Sequence, residues 1–221
     1  MYVDGNTRAM VDAAPDGTRR RGRPPAADSA DTRRTIIDNA RHLFAERGYG
    51  GVTNRELAEA SGITTGALYH YVESKLDLYV AVHSDMQRRV YGRFVEAVAA
   101  SDNFLGQFEG MLEAAHQMSV DDHTLALFVG TVRHDMRRFP EIAERLARAE
   151  AARDEFFVGI VDAAVATGEV RSADRERMVE FIRITLIGLT ERSSETASQH
   201  RCAIDAIRAL LHGDLLRPPT A

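Results

Sequence analysis

The sequence contains few of the residues that define several classes of protein. One of its 221 residues is a cysteine, six are proline and none is tryptophan. The single cysteine, Cys202, excludes an internal disulfide framework and a multi-cysteine zinc site, and we expect it to be a small buried hydrophobe. No run of about 18 apolar residues is present, which predicts no membrane-spanning helix. The first 17 residues are polar and unlike a signal peptide, which favours a cytoplasmic protein.

The charge of the chain is unevenly distributed. The net charge is −5, which by itself argues against non-specific binding to nucleic acid. Residues 1–80 hold 11 basic and 11 acidic side chains, whereas residues 81–221 hold 17 and 22 and so supply the whole −5. Four arginines cluster between positions 19 and 23. A neutral N-terminal part with a basic tip, followed by an acidic remainder, indicates two parts with different tasks.

The hydrophobic pattern predicts an all-α fold. From Asp31 onward, apolar residues recur at helical spacing almost without a break, and strand-like alternation is absent. Roughly nine or ten helices are expected, the first over residues 31–47. Residues 1–30 lack this periodicity and contain several Pro and Gly, which predicts a flexible basic tail.

One short block has the spacing of a DNA-binding helix-turn-helix. Thr53 and Glu56 form a capping-box pattern that begins one helix. Ala58 is small enough for close approach of the next helix, and Gly62, four positions later, can adopt the positive φ that a tight turn needs. Apolar residues that fix the angle between the two helices are expected at Leu57, Ile63, Leu68 and Tyr71.

The same block resembles the N-terminal domain of the TetR family of bacterial repressors. The residues that carry the resemblance are Thr53, Ala58, Gly62, the run Gly66-Ala67-Leu68-Tyr69-His70-Tyr71, and Lys75. The similarity covers about residues 33–80, and it departs from the family pattern at Tyr71, where Phe is commoner. The resemblance implies a DNA-binding domain at residues 31–78. It also implies a C-terminal antiparallel helical bundle, residues 79–221, for ligand binding and dimerisation.

Physical roles in DNA binding can be assigned to residues of the block. The small first turn of the recognition helix can enter the major groove, where hydroxyls and a methyl group reach base edges. Side chains at the far end of that helix, and those at helix N-termini, are placed to contact phosphates. The predicted DNA-binding residues are Thr53, Arg55, Thr64, Thr65, Gly66, Ala67, Tyr69, His70 and Lys75. For Arg55, a merely solvated surface role is an equal alternative.

The basic tip offers a second hypothesis about DNA. Arg21 and Arg23 lie in the sequence RRRGRPP, which is similar to minor-groove arms that place arginine in a narrow A·T-rich groove. The equal alternative is a solvated tail that adds only non-specific attraction.

The TetR resemblance also implies a dimer seam and a ligand cavity in the C-terminal helices. The predicted dimer residues are Phe157, Ile160, Ala164, Phe181, Leu186 and Leu189. The predicted ligand-binding residues are Phe104, Phe108, Met111, His116, Phe128, Val132 and His134. Their chemistry suits an adaptable apolar pocket and an apolar inducer. For every residue in both sets, a place in the ordinary hydrophobic core is the alternative.

These features predict a sequence-specific transcriptional regulator, a homodimeric repressor that binds a palindromic DNA operator and is released by a small apolar ligand. The alternative is a helical ligand-binding or scaffolding module with a vestigial DNA-binding motif. An enzyme is not expected, because the histidines do not form H-E-x-x-H and neither a nucleophile elbow nor a phosphate loop is present. No metal and no cofactor are predicted.

Overall fold

The computed structural model describes residues 26–192 and 196–216, and within them it contains nine α-helices and no strand. The helices are α1 (Ala26–Arg47), α2 (Asn54–Ala60), α3 (Thr65–Leu68), α4 (Lys75–Ala99), α5 (Phe104–Asp121), α6 (His123–Arg138), α7 (Pro140–Thr167), α8 (Arg175–Arg192) and α9 (Ala197–Leu211). Short 3-10 turns lie at Tyr49–Gly51 and Ser172–Asp174. The predicted all-α fold is confirmed.

Local start and stop signals set most helix ends. The Ser74 side chain accepts a hydrogen bond from the Asp77 amide and begins α4, and Asp122 caps α6 in the same way through the Leu125 amide. Pro140 occupies the first turn of α7, and that helix ends at Gly168, whose φ of +83° is left-handed.

Three boundaries or environments differ from the sequence prediction. Helix α1 begins at Ala26, so part of the segment expected to be a flexible tail is helical. Asn103, and not Asp102, caps α5, because its side chain accepts from the Gly106 amide. Cys202 is exposed, since it lies on the solvent side of α9, whereas Ile204 of the same helix is buried.

One hydrophobic core runs through the described helices and includes residues of α1 and α2 as well as those of α4 to α9. At the junction, an aromatic cluster joins the N-terminal helices to α6. The Tyr79 ring of α4 lies 5.0 Å from Phe44 of α1 and 5.3 Å from Phe128 of α6, in both cases edge to face. Helix α6 is therefore packed directly against the first helix.

None of the described helices has the length and apolar character required to cross a membrane. Within the same residues, no cluster of three His, Cys, Asp or Glu side chains is arranged to hold a metal ion.

Candidate nucleic-acid interface

The turn between α2 and α3 has the geometry that its glycine permits. Gly62 adopts φ +67°, a left-handed conformation that is strained for other residues. The Ala58 carbonyl accepts hydrogen bonds from the amides of Ser61 and Ile63, at 3.1 and 3.0 Å. The Ala58 side chain is buried between the two helices, together with Leu57 and Leu68. The predicted steric roles of Ala58 and Gly62 are thus present in the structure.

The residues that helix α3 exposes to solvent are small. The Thr64 hydroxyl caps the helix by accepting from the Ala67 amide at 3.1 Å. Thr64 and Gly66 are exposed, while Thr65 and Ala67 are partly exposed. The helix ends at Leu68, so Tyr69 and His70, expected within a helix reaching residue 71, instead lie exposed in the turn that follows it.

The N-terminus of α2 is occupied by its own capping box. The Glu56 carboxylate accepts from the Thr53 amide at 2.8 Å and from the Thr53 hydroxyl at 2.7 Å. Arg47 at the end of α1 donates to the same carboxylate at 2.7 Å. These hydrogen bonds lower the pKa of Glu56 to about 2. Both polar groups of Thr53 are engaged with Glu56, so a phosphate contact by Thr53 stays a prediction.

Asn54 positions the hydroxyl of Tyr69, a contact that the sequence reasoning missed. The Asn54 side-chain amide donates to the Tyr69 hydroxyl at 2.7 Å, from the first turn of α2 to the end of α3. Since the hydroxyl accepts this bond, its own proton remains available to donate to a phosphate.

Arg33 of α1 lines the same shallow depression as Tyr69 and His70 and is a second missed candidate. Arg55 is highly exposed and 3.6 Å from Glu59.

Lys75 is turned toward the protein. Its ammonium donates to the carbonyls of Tyr49 and Val52, both at 2.9 Å, and lies 4.1 Å from the centre of the Tyr49 ring. Burial lowers the pKa of Lys75. Two of its three donors hold the loop that precedes α2, and a contact between Lys75 and the DNA backbone stays a prediction.

Helix α6 is attached to the N-terminal helices at both of its ends. At its start, the buried Arg41 of α1 donates to Asp122 at 2.8 Å and to Thr124 at 2.6 Å. At its end, the buried Asp135 accepts from the Tyr49 amide at 2.9 Å and from the Tyr79 hydroxyl at 2.8 Å. A movement of α6 relative to α1 must strain or break these bonds.

A cavity of about 140 Å³ lies among the C-terminal helices. Its wall is formed by Val90, Tyr91, Phe94, Ala115, Met118, Leu125, Ala126, Val129, Arg133, Arg153, Phe157, Arg183, Leu186, Ile187, Leu189, Thr190 and His200. None of the predicted ligand-binding residues belongs to this wall. A role in ligand binding stays a prediction for Phe104, Phe108, Met111, His116, Phe128, Val132 and His134, and the cavity wall adds a second set of candidates.

The predicted ligand-binding residues have other environments. Phe108, Met111 and Phe128 are completely buried in the core, and Val132 nearly so. His134 is exposed on α6. His116 comes nearest to the cavity, since its Nδ1 lies 3.1 Å from Nδ1 of His200, which does line the wall. Phe104 packs on Phe108 at the start of α5.

The predicted dimer residues face the inside of a single chain. Phe157, Ile160, Ala164, Leu186 and Leu189 are all at most 9% exposed, and Phe181 is partly buried against Phe108. A role of these residues in a dimer interface stays a prediction. The apolar side chains that α8 presents to solvent are Ile184 and Ile187, exposed by 67% and 44%.

Arg21 and Arg23, the predicted minor-groove contacts, lie outside the described residues. The remaining predicted DNA contacts from Thr64 to His70 lie together around one short helix, with Thr53 and Arg55 at the neighbouring helix start. Two helices joined at a glycine corner, with an exposed second helix of small residues, define a helix-turn-helix DNA-binding protein.

Comparisons with known proteins show to which family of helix-turn-helix proteins this chain belongs. Residues 36–82 match the model for bacterial regulatory proteins of the tetR family. The HTH-type transcriptional repressor KstR2 of Rhodococcus jostii is 30% identical over 169 residues, which cover 73% of this chain and 81% of that protein. The chain belongs to the TetR family, and it is a DNA-binding transcriptional regulator.

Solved structures share the fold. Salmonella enterica GusR superposes with a TM-score of 0.68 at 26% identity, covering 84% of this chain and 95% of that one. The structure of AibR in complex with isovaleryl coenzyme A and operator DNA superposes with a TM-score of 0.65 at 17% identity, covering 81% and 97%.

Proposed function

We propose that the protein is a homodimeric transcriptional repressor that binds a near-palindromic DNA operator and is released from it by a small molecule. The observation that carries the proposal is the exposed α3 with its glycine corner, in a helical unit whose α1 is bonded to the start of α6. Helix α6 also contributes to the wall of a cavity. The relatives support it, because KstR2 is named a repressor and AibR holds operator DNA and an acyl coenzyme A. Regulation by binding requires no catalysis, and it takes place in the cytoplasm, where bacterial DNA lies.

The DNA-binding part comprises residues 31–78 and the remainder, residues 79–221, binds ligand and the second subunit. Helix α4 (Lys75–Ala99) crosses this boundary, so the two parts share a rigid element. In the first part, Thr65 and Ala67 reach base edges, whereas Tyr69 and His70 contact phosphates.

The dimer forms through the exposed faces of α7 and α8. Ile184 and Ile187 supply apolar surface that is unusual outside a core. Gly159 of α7 and Gly188 of α8 are exposed, and a Cβ at either would meet open space, which leaves room for close approach of a second helix pair. A single helix-turn-helix reads few base pairs, and two copies double the recognised length.

Ligand control acts through α6. Arg133 of this helix lines the cavity, while Asp122 and Asp135 attach the helix to α1, Tyr49 and Tyr79. A ligand that binds one position of α6 more tightly than another shifts the equilibrium toward that position, and the size of the shift is set by the difference in binding free energy. The orientation of the DNA-binding part changes with the position of α6.

The DNA contacts can be tested without knowledge of the operator. Selection from a random duplex library yields the preferred site of the wild type and of the variants Thr65→Val and Ala67→Ser. We expect both variants to prefer different bases from the wild type. Tyr69→Phe removes only the hydroxyl, and we expect it to weaken binding to every duplex about fivefold, the value of one hydrogen bond. Fluorescence anisotropy measures both affinity and its dependence on salt.

A matched control is His42→Ala, an exposed histidine on α1 away from α3, which should leave affinity unchanged. A wild-type chain that enriches no sequence from the library, and binds no duplex at low ionic strength, would reject the proposed function in favour of a vestigial motif.

A further inference from the structure

Among the described residues, the cavity wall carries three arginines and no carboxylate. Arg133 of α6, Arg153 of α7 and Arg183 of α8 all contribute to it. Apart from these arginines, the described wall is apolar except for Tyr91, Thr190 and His200. An apolar wall that also contains guanidinium groups suits a molecule that is itself apolar at one end and anionic at the other.

We propose that this cavity binds a small amphiphilic acid, with its carboxylate held by Arg133 and Arg183 and its apolar body against α4, α5 and α6. The inference rests on the proposed function and names the ligand class for it. A cavity of about 150 Å³ accommodates one benzene ring. The volume of about 140 Å³ found here therefore suits an apolar body of about six carbon atoms.

The hydrogen-bonding groups of the wall are mostly donors. A guanidinium group can only donate, and Nε of Arg183 is buried without a hydrogen-bond partner in the part of the chain that the structure describes. A carboxylate, which accepts at two oxygens, satisfies such a set, whereas an ammonium group does not.

The carboxylates that now pair with these arginines lie outside the wall. Arg133 donates to Glu191 and to the Thr190 hydroxyl, both at 2.7 Å. Arg183 donates to Glu180 at 2.6 Å and lies 3.5 Å from Asp154. The side chains of Glu180, Glu191 and Asp154 are 57%, 59% and 41% exposed. Since exposed ion pairs contribute little free energy, an arginine can exchange such a partner for a desolvated ligand carboxylate at small cost.

Arg153 is the most firmly held of the three. It pairs with Glu150 and with Asp154, the latter at 3.0 Å. Glu150 is also 3.4 Å from the buried His83. Because two carboxylates already neutralise Arg153, we assign contact with the ligand carboxylate to Arg133 and Arg183.

The position of Arg133 connects this site to DNA. It lies on α6 two residues before Asp135, which holds the Tyr49 amide of the DNA-binding part. A carboxylate that draws Arg133 away from Thr190 and Glu191 of α8 changes how α6 is held against α8. The ligand thus acts on the same helix that fixes α1 and α4.

The test compares three probes of one shape on the full-length protein. Isothermal titration calorimetry at pH 7.5 measures the affinity of cyclohexanecarboxylate, cyclohexanecarboxamide and cyclohexylmethylammonium. We expect the carboxylate to bind about tenfold more tightly than the neutral amide, because charge-assisted hydrogen bonds are roughly twice as strong as neutral ones. The ammonium is expected to bind more weakly than either.

Variants locate the site. Arg133→Gln and Arg183→Gln should each remove most of the preference for the carboxylate over the amide, and Ala126→Phe, which fills the cavity, should abolish binding of both. The matched control Arg177→Gln lies on the same helix as Arg183 but is 82% exposed, and it should behave like the wild type. Circular dichroism confirms that each variant is folded, and the two independent arginine variants keep the test valid if one of them unfolds.

Equal affinity for the acid and the amide, tighter binding of the ammonium, no binding of any probe at millimolar concentration, or binding that persists in Ala126→Phe would each overturn the proposal. DNA affinity without any probe is measured separately. Loss of DNA binding with a retained carboxylate preference would reject the repressor function and leave the acid site standing.

Discussion

At the scale of single residues, a buried ion pair joins the two parts of the chain. Arg41 is 3% exposed, and it contacts Asp122, Thr124 and Asp38. Burial raises the pKa of Asp122, but hydrogen bonds from Arg41 and Thr124 outweigh it and hold the pKa at about 2, against an ordinary value of 3.8. A carboxylate with a lowered pKa stabilises the folded state above its ordinary pKa, and this contribution is lost as the pH falls toward 2.

Asp122→Asn keeps a good helix cap and removes the charge. We expect the free energy of unfolding at pH 7 to fall by about 2 kcal/mol, since Arg41 keeps its other partners but loses its closest anion. The difference from the wild type should shrink as the pH falls from 4 to 3, because Asp122 of the unfolded chain, with its ordinary pKa of 3.8, takes up a proton while the folded carboxylate stays charged. Urea unfolding at pH 7, 5, 4 and 3 measures it. The control is Asp121→Asn, whose pair with Arg93 is exposed and should contribute little. A difference that is the same at pH 7 and pH 3 would contradict the assignment.

At the scale of elements, α6 links the cavity to the DNA-binding helices. Its C-terminal end holds the Tyr49 amide and the Tyr79 hydroxyl through one carboxylate, and Lys75 holds the Tyr49 carbonyl from the other side. Tyr49 is therefore bonded to α6 through its amide and to α4 through its carbonyl, and we call this pair of contacts the Tyr49 clamp. The loop that Tyr49 begins leads directly into α2, so this clamp positions the helix-turn-helix.

Asp135→Ala should destabilise the protein by about 2–3 kcal/mol, because the Tyr49 amide and the Tyr79 hydroxyl lose their acceptor. Tyr79→Phe removes only one of the two bonds and should cost about 1 kcal/mol. Urea unfolding measures both values, and anisotropy with the selected duplex should show weaker DNA binding for Asp135→Ala at a temperature where the variant is still folded. Unfolding curves of Asp135→Ala that match the wild type would refute the clamp.

At the scale of the whole molecule, the proposed assembly of two copies depends on the exposed faces of α7 and α8. Their small residues and isoleucines lie opposite the core-facing residues on the same helices. A second copy of this face would cover the isoleucines and set the spacing of the two helix-turn-helix units.

Ile184→Glu should convert the dimer into a monomer, because a charge would be buried at the seam. Sedimentation velocity is expected to give the 24.5 kDa mass of one chain for the variant and twice that for the wild type. Affinity for a palindromic duplex should fall about 100-fold, since the second half-site no longer binds as an intramolecular event. Val95→Glu, at a similarly exposed valine on α4, is the control. A wild-type chain that sediments as a monomer, or a variant that remains dimeric, would place the seam elsewhere.

The sequence alone determined the helices that local signals define. Thr53 with Glu56, Gly62, Asp122, Pro140 and Gly168 all act within a few residues, so the helix-turn-helix and most helix ends could be predicted from their spacing. Asn54 illustrates the limit, because its contact with Tyr69 depends on how α3 folds back toward α2.

Only the tertiary structure decided which face of each later helix turns inward and which side chains meet. Helical periodicity shows that residues share a face, but α8 has apolar residues on two faces, and Leu186 and Ile184 cannot be told apart by spacing. The cavity wall combines residues from six helices, and the inward turn of Lys75 depends on a loop 26 residues earlier in the chain. Such contacts are set by the angles between helices, which depend on the packing of the whole core and on no single segment of sequence.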